Sequence, residues 1–482
     1  MTRAGFPSRW RLALRIAREE WRAMLRSRVA LAAGLLLFTL TAVAMLVSHE
    51  QVRAVNAERA HLGQEAEQQW NAQPDRHPHR VVHYGQYIFR PLSPLAFFDF
   101  GVDPYTGHTL YLEGHRQNSA NFSDASQSSL LLRFGQLTPA FVLQTVAPLL
   151  IVFLAFGSVA RAREGGQLRL ALTQGVPGSL LLGGKLLGHG AAALLLAAPA
   201  LLALCWVALA HEAMRGQAVW MLAGYLAYLL LWTGAAVLVS ARATRARTAL
   251  LALVGAWTIV VVLLPRITPD LAAALVPRPT RIEMEAAVTR DLAALGDSHN
   301  PDDPYFARFR AKVLAQYGVQ RVEDLPVNYG GLVIEEGERL TSELFARSMR
   351  ADFARQEQQA QWLWAGALFS PAMALQRLST AMAGTSRAAH EQFLLDGEAY
   401  RYRLIQSLNR LHVEQVRYQN DRDQRISADF WRAMPRFAPS VADHDAIVRH
   451  SVAPSFALLN VWLCVLAVAL WRTGRRLERN LR

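Results

Sequence analysis

Cysteine is nearly absent from this chain, which has two in 482 residues. Cys205 and Cys464 both fall inside apolar runs, so the long polar regions between those runs contain none. A disulfide scaffold needs cysteines in the regions that face an oxidising compartment. The sequence therefore excludes a disulfide framework for the polar regions.

The chain also lacks a phosphate-binding loop. The nearest approach, SLLLGGKL, has Ser179 where G-x-x-x-x-G-K-[ST] needs its first glycine. It has Leu186 where that motif needs a magnesium-binding hydroxyl. We expect no nucleotide at this segment, so any ATP hydrolysis that serves the protein belongs to a different polypeptide.

Charged side chains are scarce in six apolar runs, each close to the ~20 residues that cross a bilayer. These runs are 29–47, 139–160, 186–210, 218–240, 248–264 and 452–471. Among Asp, Glu, Lys, Arg and His they contain only His189, near the start of the third run, where its ring can reach the membrane interface. Ion-driven carriers and intramembrane hydrolases keep polar groups at membrane depth, and the runs argue against both classes.

The chain has a net charge of +13, and its positive excess lies in four short segments that flank apolar runs and together hold 20 basic and four acidic residues. The segments are 1–28, 161–185, 241–248 and 472–482. All four fall on one side of a six-helix topology, which is the positive-inside pattern of a membrane protein and not a nucleic-acid-binding surface. This pattern predicts cytoplasmic termini, with residues 48–138 and 265–451 on the outer side.

Residues 1–28 are predicted to form an amphipathic helix. Arginines lie opposite an apolar stripe at helical spacing, formed by Trp10, Leu14, Ala17, Trp21 and Leu25. Such a helix lies in the membrane interface, and the alternative is a helix packed on other parts of the protein. We interpret the run 29–47 as an uncleaved signal anchor, although Ala42-Val43-Ala44 resembles a cleavage site.

The two outer regions differ in character. Residues 80–112 are rich in aromatic, β-branched, Gly and Pro residues, which predicts short strands and turns. Residues 265–451 are predicted to be mainly helical, with helices at 281–295, 304–317, 334–363 and 398–425 and breaks at Asn300-Pro301, Pro326 and Ser370-Pro371. The predicted fold is an all-α polytopic membrane protein with six transmembrane helices, an N-terminal interfacial helix and a mostly helical outer region with a small β-containing part.

The segment EGGQLRLALTQGVPGSL, residues 164–180, interrupts two apolar runs. Gly165 and Gly166 allow a sharp reversal after Glu164, and Pro177 ends the short helix that follows. Leu168 and Leu172 share one face of that helix. We predict a rigid helix across the base of two membrane helices, with apolar groups facing a partner, and the alternative is an ordinary loop.

This series resembles the segment after the second span in ABC-2 type transporter permeases. The family pattern is Glu-x-Gly-Thr-Leu, a leucine-rich helix, Pro-(Val)-Ser/Arg, and Gly-Lys opening the third span. The positions that match are Glu164, Gly166, Leu168, Leu172, Pro177, Gly184 and Lys185. The chain departs from the pattern at Gln167 and in its Val-Pro-Gly order. The outer regions are similar to a subgroup with a long domain of unknown function, through 370–385 and His390–Phe393.

The resemblance implies the membrane subunit of an ATP-driven exporter in a bacterial inner membrane, not an enzyme. Residues 161–185 would hold the coupling helix that docks on a separate ATPase, present in two copies, which binds ATP and Mg²⁺. The implied coupling residues are Glu164, Gly165, Gly166, Leu168, Leu172, Pro177 and Lys185. A second permease, the same or related, lipid and a periplasmic protein are the other expected partners, and this chain binds no cofactor. The alternatives are a non-transporting machine that acts through its outer domains, and a membrane sensor or scaffold.

Histidines cluster in the first outer region at His77, His79 and His83, which could ligate zinc, copper or nickel. The alternative is a solvated polar loop, favoured by the flanking Arg76 and Arg80, which repel a cation. Three acidic residues nearby are interpreted as surface or turn residues and not as a catalytic pair: Asp99, Asp103 and Glu113.

Overall fold

The computed structural model describes residues 9–114, 136–296, 300 and 303–479. It is 78% helical and 2% strand, which confirms the predicted class. Within the described residues, six helical stretches are long and apolar enough to cross a membrane. They are Ala30–Asn71, Pro139–Glu164, Gly178–Leu196, Glu212–Arg242, Ala246–Leu275 and His444–Arg479.

The helices of the first half begin with α1, Arg9–Arg26, and α2, Arg28–Asn71, which continues far beyond its apolar run. The others are α3 (Pro78–Val82), α4 (Asp103–Thr106), α5 (Pro139–Phe141), α6 (Ala147–Ala155), α7 (Ala160–Glu164), α8 (Gln167–Thr173), α9 (Gly178–Leu196), α10 (Ala198–Ala210), α11 (Arg215–Arg242), α12 (Ala246–Trp257) and α13 (Leu264–Leu275). Single π-helical turns join α5 to α6 at Val142–Val146 and α12 to α13 at Thr258–Leu263.

The second outer region is built mainly from helices, as predicted. They are α14 (Arg281–Leu295), α15 (Pro304–Tyr317), α16 (Tyr329–Ala367), α17 (Pro371–Ala383), α18 (Arg387–Gln415), α19 (Asp429–Arg432) and α20 (His444–Ile447). A π-helical turn, Val448–Val452, leads into α21, Ala453–Arg479.

The apolar run 186–210 does not form one helix. The chain breaks at Ala197, between α9 and α10, because Pro199 lies in the first turn of α10 and cannot donate a backbone hydrogen bond. The run therefore supplies the second half of α9 and the whole of the shorter α10.

The bundle is organised around α11, which packs against α6, α9, α10, α17 and α21. Its buried side chains Met221, Tyr225 and Tyr228 lie at the centre of the largest apolar cluster. Burial of such apolar area stabilises a fold by about 25 cal/mol per Å². α17 belongs to this cluster as well, so the outer region is packed directly onto the membrane helices.

A second apolar cluster forms the core of the outer region. Trp431 is fully buried there, and its carbonyl accepts a 3.0 Å hydrogen bond from Trp70 Nε1 at the end of α2. The predicted β part is one antiparallel pair, β1 (Gln86–Phe89) and β2 (Thr109–Leu112). Ile88 and Leu110 are paired in register and point into the same cluster.

Candidate functional site

The segment between the second and third apolar runs folds as two short helices joined by a tight reversal. α7 ends at Glu164, and Gly166 has φ +75°, which is the left-handed conformation that favours glycine. α8 then spans seven residues. Gly175, at φ +87°, turns the chain back, and Pro177 lies in extended conformation immediately before α9.

The orientation of α8 differs from the expected one. Leu168 is only 6% exposed and packs on Val159, Leu181 and Val237 of the same chain, and Leu172 is partly buried against the same cluster. Leu168 therefore faces the chain's own membrane helices in this conformation and not the outside of the bundle. Leu170 is instead 59% exposed. We call the exposed face of α8 the outward face; it comprises Gln167, Arg169, Leu170, Thr173 and Gln174.

Polar contacts fix α7 to the connection between α11 and α12. Ser240 Oγ accepts hydrogen bonds from the amides of Val159 and Ala160, at 3.0 and 3.1 Å. The Arg163 guanidinium donates to the carbonyls of Ala241, at 2.6 Å, and Ala243. These bonds satisfy amides at the start of α7 and carbonyls at the end of α11, which would otherwise lack partners.

Glu164 contributes to the same junction. Its Oε1 accepts a 3.1 Å hydrogen bond from the amide of Ala246, the first residue of α12. A carboxylate at this position stabilises the positive end of the helix dipole. Glu164 is thus structural in this conformation, although its side chain remains at the surface.

Lys185 is buried between α9 and α1 and is not part of the outward face. Its ammonium pairs with Glu20 of α1, and His189 Nε2 lies 3.1 Å from the other carboxylate oxygen of Glu20. Burial raises the pKa of Glu20, but the hydrogen bonds from His189 and Lys185 outweigh that effect, so the pKa is below its usual value. Gly184 is needed here because a Cβ at that position would lie 2.7 Å from Cβ of Ile16.

The contact between α1 and α9 assigns the two faces of the N-terminal helix. Ala13 is buried against α9, while Trp10, Leu14 and Leu25 remain exposed. One face is thus packed on protein, and the exposed apolar residues suit the membrane interface that the sequence predicts for this helix.

The last helix, α21, packs against the start of α9. Glu478 Oε1 accepts a 2.6 Å hydrogen bond from the amide of Gly178, the first residue of α9. The helices meet through Gly178 and Gly474, since a Cβ on Gly178 would lie 2.3 Å from the Gly474 carbonyl oxygen. The described parts of the four basic segments therefore meet at one end of the bundle. Sequence reasoning missed the roles of Glu20, Arg163, Ser240 and Glu478. The last three lie near helix ends, whereas Glu20 lies within α1 and has no local signal of its contact with α9.

The three candidate metal ligands do not come together. His79 and His83 form their own pair, with their Nε2 atoms 3.2 Å apart. His77 caps α3 and points the other way, towards His412 of α18 and Asp421. The three histidines do not form one group here, because His77 faces His412 and Asp421 while His79 and His83 face each other.

One of the three acidic residues of the first outer region is not at the surface. Asp99 is buried, accepts a 3.1 Å hydrogen bond from the amide of Gly101, and has its pKa raised by burial. Asp103 forms an ion pair with Arg90. Glu113 is partly exposed. Asp99 is therefore a core residue and not a surface one.

Two family models match the chain. The model described as ABC-2 family transporter protein matches residues 14–310, and the one described as domain of unknown function (DUF3526) matches residues 281–440. The second match covers α14 to α19 of the outer region. No curated protein matches the chain.

Proposed function

The chain belongs to the ABC-2 family of transporter proteins, whose members are membrane components of ABC transporters, and from this premise we propose that α8 is the surface through which a separate ATPase drives it. The assembly would be an exporter in a bacterial inner membrane, with both chain termini cytoplasmic. Two ATPase copies would bind ATP and Mg²⁺, because this chain has no phosphate-binding loop. A second permease, the same or related, would complete the translocation path.

This proposal rests on the two faces of α8. One face is buried against the bundle, and the other is the exposed outward face. Leu168 fixes the helix to the bundle, while Leu170 projects outward beside Arg169. A leucine held in this way can enter an apolar groove without the cost of ordering a flexible loop. Arg163 ties the same segment to the end of α11 and Glu164 ties it to the start of α12, so a push on α8 would reach the bundle directly.

The test is Leu170→Asp in the full chain, expressed with its ATPase. Burial of a leucine side chain contributes about 1.5–3 kcal/mol, so we expect ATPase binding to weaken by about 10- to 150-fold. Membrane insertion should be unaffected because the side chain is exposed. The matched control is Val441→Asp, which adds the same charge at an exposed position of the outer region.

Both variants are captured from native membranes in mild detergent, and the co-purifying ATPase is quantified by mass spectrometry. Equal recovery with both variants would refute the role of the outward face. If the wild-type chain retains no ATPase under conditions that preserve other ABC complexes, the sensor or scaffold alternative takes precedence.

A second candidate function is a machine that moves its outer domains without transporting a solute. It is favoured by α2, whose 44 residues form one helix about 66 Å long. The helix starts beside α1 and ends where Trp70 enters the outer core. A rigid rod between the two ends would convert movement at the base into rearrangement of the outer region.

The two functions are separated in proteoliposomes that contain the chain and its ATPase. ATP-dependent movement of solute across the bilayer supports the exporter. Spectroscopic distance changes between labels on the outer region and the bundle, with ATP but without solute flux, support the machine.

A further inference from the structure

We propose that His77, His412 and Asp421 form a binding site for a divalent transition-metal cation, with Zn²⁺ as the ligand used to test it. The site joins the first outer region, which contributes His77, to the second, which contributes the other two residues. It stands independently of the coupling proposed for α8.

The candidate ligand atoms are already close together. His412 Nε2 lies 2.6 Å from Asp421 Oδ1, and His77 Nε2 lies 3.8 Å from the same oxygen. One ligand atom from each of the three residues lies within 4.8 Å of those from the other two. Ligands at about 2.0–2.2 Å from a tetrahedral zinc are roughly 3.3–3.6 Å apart. Binding would therefore move His412 Nε2 and Asp421 Oδ1 apart and bring the more distant ligand atoms together, through side-chain rotation.

The ligand set suits a first-row transition metal. Two imidazoles and one carboxylate are donors that bind zinc with one coordination position left for water. The His412 side chain is 2% exposed, whereas that of Asp421 is 36% exposed. The site is therefore walled by protein on the imidazole side and open to solvent on the carboxylate side, which gives a cation a route of entry.

Surrounding groups hold the carboxylate in place. Asn328 Nδ2 donates a 2.6 Å hydrogen bond to Asp421 Oδ1. Asn328 is itself fixed, because its backbone N–H donates to the Val413 carbonyl and its side-chain oxygen accepts from the backbone N–H of Gly331. Outer partners of this kind orient metal ligands in proteins.

Each of the two histidines has one buried ring nitrogen without a hydrogen-bond partner among the described residues. His77 Nε2 and His412 Nδ1 are buried, and neither has a hydrogen-bond partner among the residues that the structure describes. His77 Nδ1 accepts a 3.2 Å hydrogen bond from the His79 amide. Ligation through Nε2 would place the ring proton on Nδ1 and release this bond, a loss that is small beside metal ligation.

The positive charge nearby does not occupy the site. The guanidinium of Arg76 lies 6.0 Å from the centre of the Tyr84 ring, and Arg80 is exposed. Because Arg80 is exposed, solvent and salt screen the repulsion that its charge exerts on a bound cation.

The experiment uses the full chain in lipid nanodiscs, stripped of metal with a chelator. Zn²⁺ is titrated in competition with a chromophoric chelator. We expect one saturable site in the wild type, and at least a tenfold weaker affinity in Asp421→Asn, in line with the effect of even outer-partner substitutions. His83→Gln is the control, since it alters a histidine of the same segment outside the site.

A second measurement does not depend on affinity alone. Zn²⁺ should raise the thermal unfolding temperature of the wild type and of His83→Gln, but not that of His412→Gln or Asp421→Asn. Asp421→Asn retains an oxygen to accept from Asn328, and its unfolding temperature without metal reports whether it folds. Absence of saturable binding in the wild type would overturn the proposal. Equal affinity in the wild type and Asp421→Asn, or loss of binding in His83→Gln alone, would overturn it as well.

Discussion

Glu20 is predicted to hold the N-terminal helix on the bundle through a buried charge cluster. Its carboxylate contacts Lys185 and His189, whose side chains are 7% and 4% exposed. Glu20→Ala would leave the Lys185 cation buried without its counter-ion. Breaking a buried pair by removing one partner costs about 3–5 kcal/mol, because the remaining charge is desolvated and uncompensated.

Two further variants isolate this effect. Glu19 is the preceding residue, its side chain is 64% exposed, and it pairs with Arg22 on the helix surface. Glu19→Ala should therefore cost less than about 1 kcal/mol. The double substitution Glu20→Met and Lys185→Met removes both charges and keeps apolar volume, so it should recover most of the loss from Glu20→Ala.

The assay is thermal unfolding in detergent micelles, followed by circular dichroism, together with limited proteolysis of α1. We expect Glu20→Ala to unfold at the lowest temperature and to release α1 to protease first. Equal unfolding temperatures for Glu19→Ala and Glu20→Ala would refute the reasoning. So would a double variant that is no more stable than Glu20→Ala.

Two other predictions concern the outer region and the topology. Burial and nearby Arg90 lower the pKa of His390 from 6.5 to about 4, so stability is lost as pH falls from 6.5 towards 4, by about 3 kcal/mol in total. His390→Gln should flatten the pH dependence of unfolding in this window, whereas His61→Gln, at an exposed position, should leave it unchanged. A cysteine at Val441 should react with an impermeant maleimide added outside the cell, and one at Thr244 should not; both side chains are exposed, and reversed labelling would invert the proposed topology.

Capping residues close to the helix ends were sufficient to predict the bounds of two helices in the outer region. α14 coincides with the predicted helix 281–295, because Thr280 and Glu283 form a capping box at its start. α15 coincides with 304–317, where Asp303 caps the first turn and Gly318 ends the helix in a left-handed conformation. Each signal lies within a few residues of the boundary that it determines.

The amino-acid sequence is enough to recognise the family, the apolar runs, the charge asymmetry and the short helix between Gly166 and Pro177. Which side of that helix is free depends on how the helices of the chain pack. Leucines at helical spacing define an apolar face, but the spacing is the same whether the face packs on the chain's own helices, as Leu168 does, or on another protein.

The partners of the charged and metal-ligating groups were likewise decided by the tertiary structure. Lys185 meets Glu20 from 165 positions away in the chain, and the Trp70 indole meets the Trp431 carbonyl from 361 positions away. The ring of His77 packs against that of His412 and not against the histidines next to it in the sequence. Periodicity fixes the direction of a side chain relative to its own helix, whereas the neighbour that it meets depends on how the helices pack, and that is a property of the whole chain.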